Sequence, residues 1–164
     1  MWSLFTVLLL TMGPSDPASH VRAESPVMRA LLDEAMLKSP TVQALVSELE
    51  CSDTIVYVEF TRVPGVRRAR TKLVAAPEGF RFLRISIHVL VPPVDRLPLL
   101  AHELQHAAEI ARETSVRDDK AMRRLYQRIG SEAWDDTFET IEAMEVERRA
   151  RAEQFARRSS PRQQ

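Results

Sequence analysis

The stretch Leu99-Leu100-Ala101-His102-Glu103-Leu104-Gln105-His106-Ala107-Ala108 places two histidines four residues apart in a strongly apolar setting. On an α-helix of about 3.6 residues per turn, side chains four apart lie about 40° from each other, so both imidazoles can bind one metal ion. Glu103 lies one step round the helix, where its carboxylate can reach a water molecule on that ion. The stretch therefore predicts a metal-binding helix around which the rest of the chain must pack.

This pattern, HExxH, is typical of zinc-dependent hydrolases, in which the glutamate acts as general base. The alternative is a chance match, because histidine and glutamate are ordinary surface residues. The helix carries an apolar stripe and therefore has a buried side (Leu100, Leu104, Ala107, Ala111). Burying charged histidines without a partner would cost roughly several kcal/mol, and a bound metal removes that cost. The setting favours a real metal site.

Length and composition limit the class of protein. A chain of 164 residues suggests one domain with a proper core. The 23 basic and 23 acidic residues balance, so nothing indicates a nucleic-acid partner. The single cysteine, Cys51, cannot form an internal disulfide or a zinc site built from cysteines.

The N-terminus is typical of a signal peptide. Trp2 to Met12 is an apolar run, and Val21-Arg22-Ala23 offers a signal-peptidase site before Glu24, although no basic residue precedes the run. The alternatives are a buried N-terminal helix and a misplaced start codon. We predict a signal peptide over residues 1–23, a metal-binding domain over 24–158 and a disordered tail over 159–164. The mature protein would then be secreted or periplasmic, without stable membrane insertion.

The remaining pattern predicts an α+β domain with a zincin-like arrangement. Two amphipathic helices open the mature chain, and strands are expected at 55–60, 71–75 and 80–89. The basic segment 62–70 is a candidate hairpin connection. We expect a short antiparallel or mixed sheet packed on the motif helix and a C-terminal helix. The polar face of strand 80–89 could hold an extended substrate, or could simply be solvated.

A catalytic zinc site needs a third protein ligand, and the residues alone leave several candidates. Glu109 shares the face of the two histidines but lies about 4.5 Å along the axis past His106, so it is better placed beside the site or on the surface. After the helix 118–129, which ends at Gly130, a run of acids follows on an expected helix (Glu132, Asp135, Asp136, Glu139, Glu142, Glu145). The apolar stripe of that helix is predicted to be Trp134, Phe138, Ile141 and Met144. A solvated acidic face is the alternative.

The chain resembles zinc peptidases of the gluzincin type, which place HExxH on one helix and a glutamate ligand on a later helix. It is also similar to short exported uncharacterised bacterial proteins that share four segments with it (Leu100–Ala107, Leu125-Tyr126, Ile129-Gly130 and Phe138-Glu139-Thr140). The resemblance implies that His102, His106 and Glu139 are the zinc ligands, with Glu142 and Glu132 as rivals to Glu139. The larger relatives orient a histidine with an aspartate four residues after the glutamate, and here that position is Ala143.

The pattern and the resemblance together predict a zinc-dependent metallopeptidase that acts on a peptide or protein substrate. Glu103 would take a proton from the attacking water and deliver it to the leaving amine. Tyr126, His88 and Arg84 are the candidate donors to the oxyanion, with Tyr126 as the chosen catalytic residue. The competing prediction is an exported zinc-binding adaptor or scaffold without peptidase activity.

Overall fold

The computed structural model describes residues 19–62, 68–132 and 138–156. Its helices and strands follow the chain in this order: β1 (Val21–Ala23), α1 (Pro26–Lys38), α2 (Pro40–Glu50), β2 (Thr54–Thr61), β3 (Ala69–Ala75), β4 (Arg81–His88), α3 (Pro93–Arg112), α4 (Asp119–Ile129), β5 (Ser131–Glu132), β6 (Phe138–Glu139) and α5 (Ile141–Ala156). The apolar run at residues 2–12, the tail at 159–164, and Trp134, Asp135 and Asp136 lie outside the described residues. Among the described helices, none has both the length and the apolar character that a membrane crossing requires.

The main sheet is mixed, with strand order β1-β2-β4-β3, and the prediction of an α+β domain is confirmed. β1 and β4 run parallel to β2, whereas β3 runs antiparallel to β4. Because β4 lies between β2 and β3, the segment 62–70 does not connect a hairpin, and that expectation is wrong. Both edges of β4 are paired, so an extended peptide cannot add to it, and the two edge strands of this sheet are β1 and β3.

The sheet begins before Glu24, the first residue of the predicted mature chain. Val21 and Ala23 of β1 are buried, and the Val56 amide donates to the carbonyl of His20 across 2.7 Å. The Glu24 amide in turn donates to Val58 across 2.9 Å. Cleavage after Ala23 would therefore remove a paired strand from the fold, so the structural domain extends upstream of the predicted boundary. Cleavage itself stays a prediction.

The motif helix α3 lies at the centre of the fold. Leu83, Ile85 and Ile87 of β4 are fully buried in the core that the sheet forms with α3, while α1, α2 and α5 also contact α3. As a result every residue from Leu97 to Ala111 is buried, the polar ones included. Since buried polar groups are costly unless they are paired, each polar side chain of this helix needs a partner.

A buried arginine fixes the C-terminal end of α3. Arg81, the first residue of β4, is fully buried and donates to the carbonyls of Ile110, Ala111 and Glu113 at 2.6 to 2.9 Å. Asp53 pairs with its guanidinium, with 2.9 Å between Nε and Oδ1. The last carbonyls of a helix have no partner within it, so this arginine both satisfies them and ties the metal-binding helix to the sheet.

The chain after α4 differs from the predicted single acidic helix. α4 ends at Gly130, as expected, and β5 and β6 then form a short antiparallel ladder before α5 begins at Ile141. Ile141 and Met144 are exposed, so the predicted apolar stripe is wrong. The buried face of α5 consists instead of two alanines, one valine and one glutamine (Ala143, Val146, Ala150, Gln154). Alanines allow α5 to approach α3 closely, and a search for large apolar residues misses such a face.

Candidate metal centre

Three side chains converge beside α3 in a group that could hold a metal ion: His102, His106 and Glu139. His102 Nε2 lies 3.1 Å from His106 Nε2 and 3.1 Å from Glu139 Oε2, and the three ligand atoms all lie within 4.8 Å of one another. Ligands at about 2.0–2.2 Å around a tetrahedral zinc ion are separated by roughly 3.3 Å, so a modest adjustment would suit zinc. The two histidines are buried, whereas 41% of the Glu139 side chain is exposed, so the group opens to solvent.

Glu139 reaches the histidines from a strand, not from a helix as the resemblance implied. It lies on β6, opposite Ser131 of β5, immediately before the residue that caps α5. A Cβ atom added at Gly130 would lie 2.9 Å from the Glu139 carbonyl oxygen and 3.1 Å from that of Tyr126. Only glycine therefore allows the end of α4 to lie this close to β6, and this contact helps to position the carboxylate of Glu139.

Glu109 holds the far side of the His106 ring. His106 Nδ1 lies 2.9 Å from Glu109 Oε2, while Thr140 Oγ1 and Gln105 Nε2 donate to Glu109 Oε1 across 2.7 and 3.3 Å. Burial by itself would raise the pKa of Glu109, but these hydrogen bonds and the charge of His106 hold it below the usual value. Glu109 thus contacts His106 without being a member of the three-residue group, as its position along the helix predicted, and it is buried.

Glu147 approaches the His102 ring in the corresponding way. Its Oε2 lies 3.4 Å from His102 Nδ1, a buried nitrogen that makes no formal hydrogen bond among the described residues. The sequence analysis did not single out Glu147. The available signal was its spacing, since Glu147 lies between Ala143 and Ala150 on the buried side of α5. That signal identifies a buried acid only once the small residues are recognised as the packed face.

The electrostatics of the group favour one positive charge at its centre. Burial alone would lower the pKa of His102, but Glu139 and Glu147 as acceptors, and the charge of Glu103, raise it to about 10. The same contact with His102 lowers the pKa of Glu139. If both Nδ1 atoms donate to carboxylates, the two Nε2 lone pairs face each other across 3.1 Å and repel. A proton or a metal ion between them removes that repulsion, which makes the group suited to a cation.

Glu103 lies beside the histidines and is not a member of the three-residue group. It is buried, and its Oε2 accepts a hydrogen bond of 2.7 Å from Thr71 Oγ1 on β3. The same hydroxyl lies 3.3 Å from the Glu103 main-chain carbonyl. The edge strand therefore contacts the proposed general base directly and holds its carboxylate in one orientation.

The structure does not place the expected oxyanion donors at the group. The Tyr126 hydroxyl donates to the main-chain carbonyl of His106, so its proton is not free for an oxyanion in this arrangement. Burial, then the charges of Glu109 and Glu103, raise the pKa of Tyr126 well above its ordinary value. Arg84 and His88 alternate with the buried residues of β4 and therefore face away from α3. Tyr126 packs against His106, and its oxyanion role stays a prediction. Arg84 and His88 lie on the opposite face of the sheet, so their predicted role is corrected.

Glu142 and Glu109, two of the three rival third ligands, do not join the group. Glu142 is exposed on α5 and does not join the three-residue cluster. The Glu132 side chain lies outside the described part of the chain. Glu109 is committed to His106. Of the described acids, Glu139 is therefore the one that completes the group with the two histidines.

Comparison with models of protein families, with curated proteins and with solved structures gave no match.

Proposed function

We propose that this protein is a zinc-dependent metallopeptidase that hydrolyses peptide bonds. One observation carries the proposal: two histidines and one glutamate form a three-donor group, and the buried carboxylate of Glu103, on the same helix as both histidines, helps to raise the pKa of His102 without joining the group. Two imidazoles and one carboxylate are a donor set used by catalytic zinc, which keeps its fourth position for water or substrate. Structural zinc sites are usually closed by four protein ligands.

The chemistry divides between the ion and Glu103. Bound at these three residues, zinc would polarise a carbonyl oxygen and make water nucleophilic at neutral pH. Glu103 accepts a proton from the attacking water as the new C–O bond forms. It then gives that proton to the amide nitrogen as the C–N bond breaks, so that the products are a free amine and a carboxylate. Thr71 holds the Glu103 carboxylate on the side of the edge strand.

The free edge of β3 is the place where an extended peptide would bind. Thr71 of this strand touches Glu103, so a chain paired with the edge would pass the proposed general base. Main-chain hydrogen bonds to an edge strand hold a peptide in extended form, and side-chain pockets then set the preference.

A second candidate is an exported zinc-binding protein without peptidase activity. Two observations favour it: Glu103 already has a hydrogen-bond partner in Thr71, and the expected oxyanion donor Tyr126 is committed to a main-chain carbonyl. Both candidates need the same three zinc ligands, and they differ in whether Glu103 acts as a general base. We also propose export for either candidate, on the basis of the apolar run at residues 2–12.

Metal analysis and one substitution test the proposal. The purified protein should contain zinc at about one ion per chain. Glu103→Gln should retain zinc and lose peptide hydrolysis by about 100-fold or more, because general base catalysis contributes about 10²–10⁴-fold. Glu145→Gln, which removes an exposed acid of α5, is the matched control. Zinc without hydrolysis of a broad peptide library by the wild type would support the second candidate. Absence of metal would exclude both.

A further inference from the structure

We propose that Glu147 is a positioning residue that orients His102 for metal binding. This inference rests on the proposed metal site but not on peptidase activity. Ala143, one helical turn before Glu147 on α5, has no polar group that could serve this role. Glu147 lies one helical turn further along α5 and reaches the ring that Ala143 cannot.

The first argument is the position of the Glu147 carboxylate. Its Oε2 lies 3.4 Å from His102 Nδ1, and only 19% of its side chain is exposed. His102 Nδ1 is buried and makes no hydrogen bond in the described part of the chain, and the Glu147 carboxylate is the acid that the structure places beside it. When Nε2 of an imidazole binds a metal, the ring proton must sit on Nδ1. Glu147 is the acceptor within reach of that proton.

The second argument is how the carboxylate is held. Its other oxygen, Oε1, lies 3.1 Å from a guanidinium nitrogen of Arg151 and 3.6 Å from one of Arg68. Arg151 also pairs with Asp95 near the start of α3. Two cations therefore fix one oxygen of Glu147 and leave the other for His102. A carboxylate that served only a surface ion pair would not need to direct its second oxygen at a buried ring nitrogen.

The third argument is the symmetry of the group. Glu109 contacts His106 Nδ1 at 2.9 Å, just as Glu147 approaches His102 Nδ1. Each candidate metal-binding histidine thus has its own carboxylate on the side opposite the proposed ion. Such partners fix the ring orientation and its protonated nitrogen, and their loss typically weakens metal binding about 10–100-fold. Ala143 and Ala150 are both fully buried, and their small side chains let α5 lie close enough to α3 for Glu147 to reach.

The experiment compares Glu147→Ala, Glu147→Gln and Glu145→Gln in the full chain. Zinc and cobalt affinities are measured by competition with a chelator, at a temperature where all metal-free variants are folded. Glu147→Ala should weaken binding about 10–100-fold. Glu147→Gln, which keeps an acceptor but loses the charge, should recover part of the loss. Glu145→Gln should match the wild type. The visible absorption of bound Co²⁺ should change in Glu147→Ala, because the His102 ring is no longer held.

Three results would overturn the inference. The first is an unchanged affinity and an unchanged cobalt spectrum in Glu147→Ala, with only its thermal stability lowered, which would make Glu147 a structural residue and leave the metal site intact. The second is a metal-bound structure in which Glu147 itself ligates the ion. The third is a wild type that binds neither metal, which would remove the metal site together with the inference.

Discussion

The hydroxyl of Tyr126 donates a hydrogen bond to the main-chain carbonyl of His106 across 3.1 Å, and its ring lies edge-on to the His106 ring at 5.4 Å between centroids. The contact links α4 to the motif helix at His106 itself, one of the two histidines of the candidate metal group. It explains how a tyrosine beside the candidate metal group can be buried with its hydroxyl paired to the main chain.

Tyr126→Phe should therefore act on stability and not on chemistry. Removing the hydroxyl leaves a buried carbonyl without its side-chain donor, so we expect a loss of about 1–2 kcal/mol in the free energy of unfolding. Zinc affinity and peptide hydrolysis should stay near those of the wild type. Urea unfolding and a steady-state assay measure the two effects. Tyr57→Phe, at the other tyrosine of the chain, is the control. A large fall in kcat with unchanged stability would restore Tyr126 as an oxyanion donor.

Gly130→Ala should lower zinc affinity although Gly130 is not itself a candidate ligand. The new Cβ would lie 2.9 Å from the Glu139 carbonyl oxygen, closer than a real contact allows, so β6 must shift and take Glu139 with it. We expect zinc affinity to fall about tenfold or more, as for other changes that misplace a ligand. Gly79→Ala is the matched control, since Gly79 has a φ of +88° and open space around it. That change should cost about 1–2 kcal/mol of stability through backbone strain and leave zinc affinity unchanged.

Glu139→Gln should abolish tight zinc binding, and Glu142→Gln should not. Glu139 lies on β6 and is half-buried against His102. Glu142 lies three residues later, in the first turn of α5, and is exposed. Losing a ligand should weaken binding by more than the roughly 10–100-fold typical of an outer partner. Chelator competition measures both variants at the same pH. Equal affinities would show that Glu139 is not the third ligand.

Acid should weaken the ion pair between Asp53 and Arg81 and thereby lower the free energy of unfolding. Burial alone would raise the pKa of Asp53, but hydrogen bonds and charge from Arg81 lower it overall. Because the folded-state pKa lies below the unfolded value, this stabilisation is present above about pH 4 and is lost as the pH falls towards the folded pKa. Asp53→Asn should lower stability at pH 7 and flatten the loss in acid, measured by urea unfolding across pH.

Glu109, Glu139 and Glu147 have pKa values lowered in the same direction, so the wild type loses stability in acid for several reasons. The contribution of Asp53 is the difference between its variant and the wild type. Asp33→Asn, an exposed site on α1, supplies the matched charge change. Parallel pH curves for Asp53→Asn and wild type would contradict the prediction.

The mature N-terminus should lie at or before Ser19 if the protein is exported and cleaved. Val21 and Ala23 are buried in the sheet, and the His20 amide donates to Glu50 Oε1 across 2.9 Å. A chain that begins at Glu24 should lose about 2 kcal/mol or more relative to one that begins at Ser19, since burying a valine contributes about 1.5–3 kcal/mol. Intact-mass measurement of the exported protein gives the cleavage point. A mature protein that begins at Glu24 with undiminished stability would contradict this.

The sequence by itself determined the parts of the site that one helix can hold. His102, Glu103 and His106 follow from helical periodicity, because residues four apart share a face whatever the rest of the chain does. The same local rules predicted the α+β class, α4 and its end at Gly130. The position of Glu109 along α3 likewise predicted that it would not join the group, and it contacts His106 instead.

Only the tertiary structure decided which distant residues complete the site. Whether Glu139, Glu142 or Glu132 meets the histidines depends on how β5, β6 and α5 pack against α3, and no local period encodes that choice. The sequence pattern did not reveal that Glu147 approaches the site, because its helix buries alanines rather than large apolar residues. The oxyanion role of Tyr126 stays a prediction, and no local pattern shows that the partner of its hydroxyl, the His106 carbonyl, belongs to another helix. Helical periodicity determines which side chains of one helix share a face. The packing of the helices and strands against one another determines which side chains from different elements come into contact.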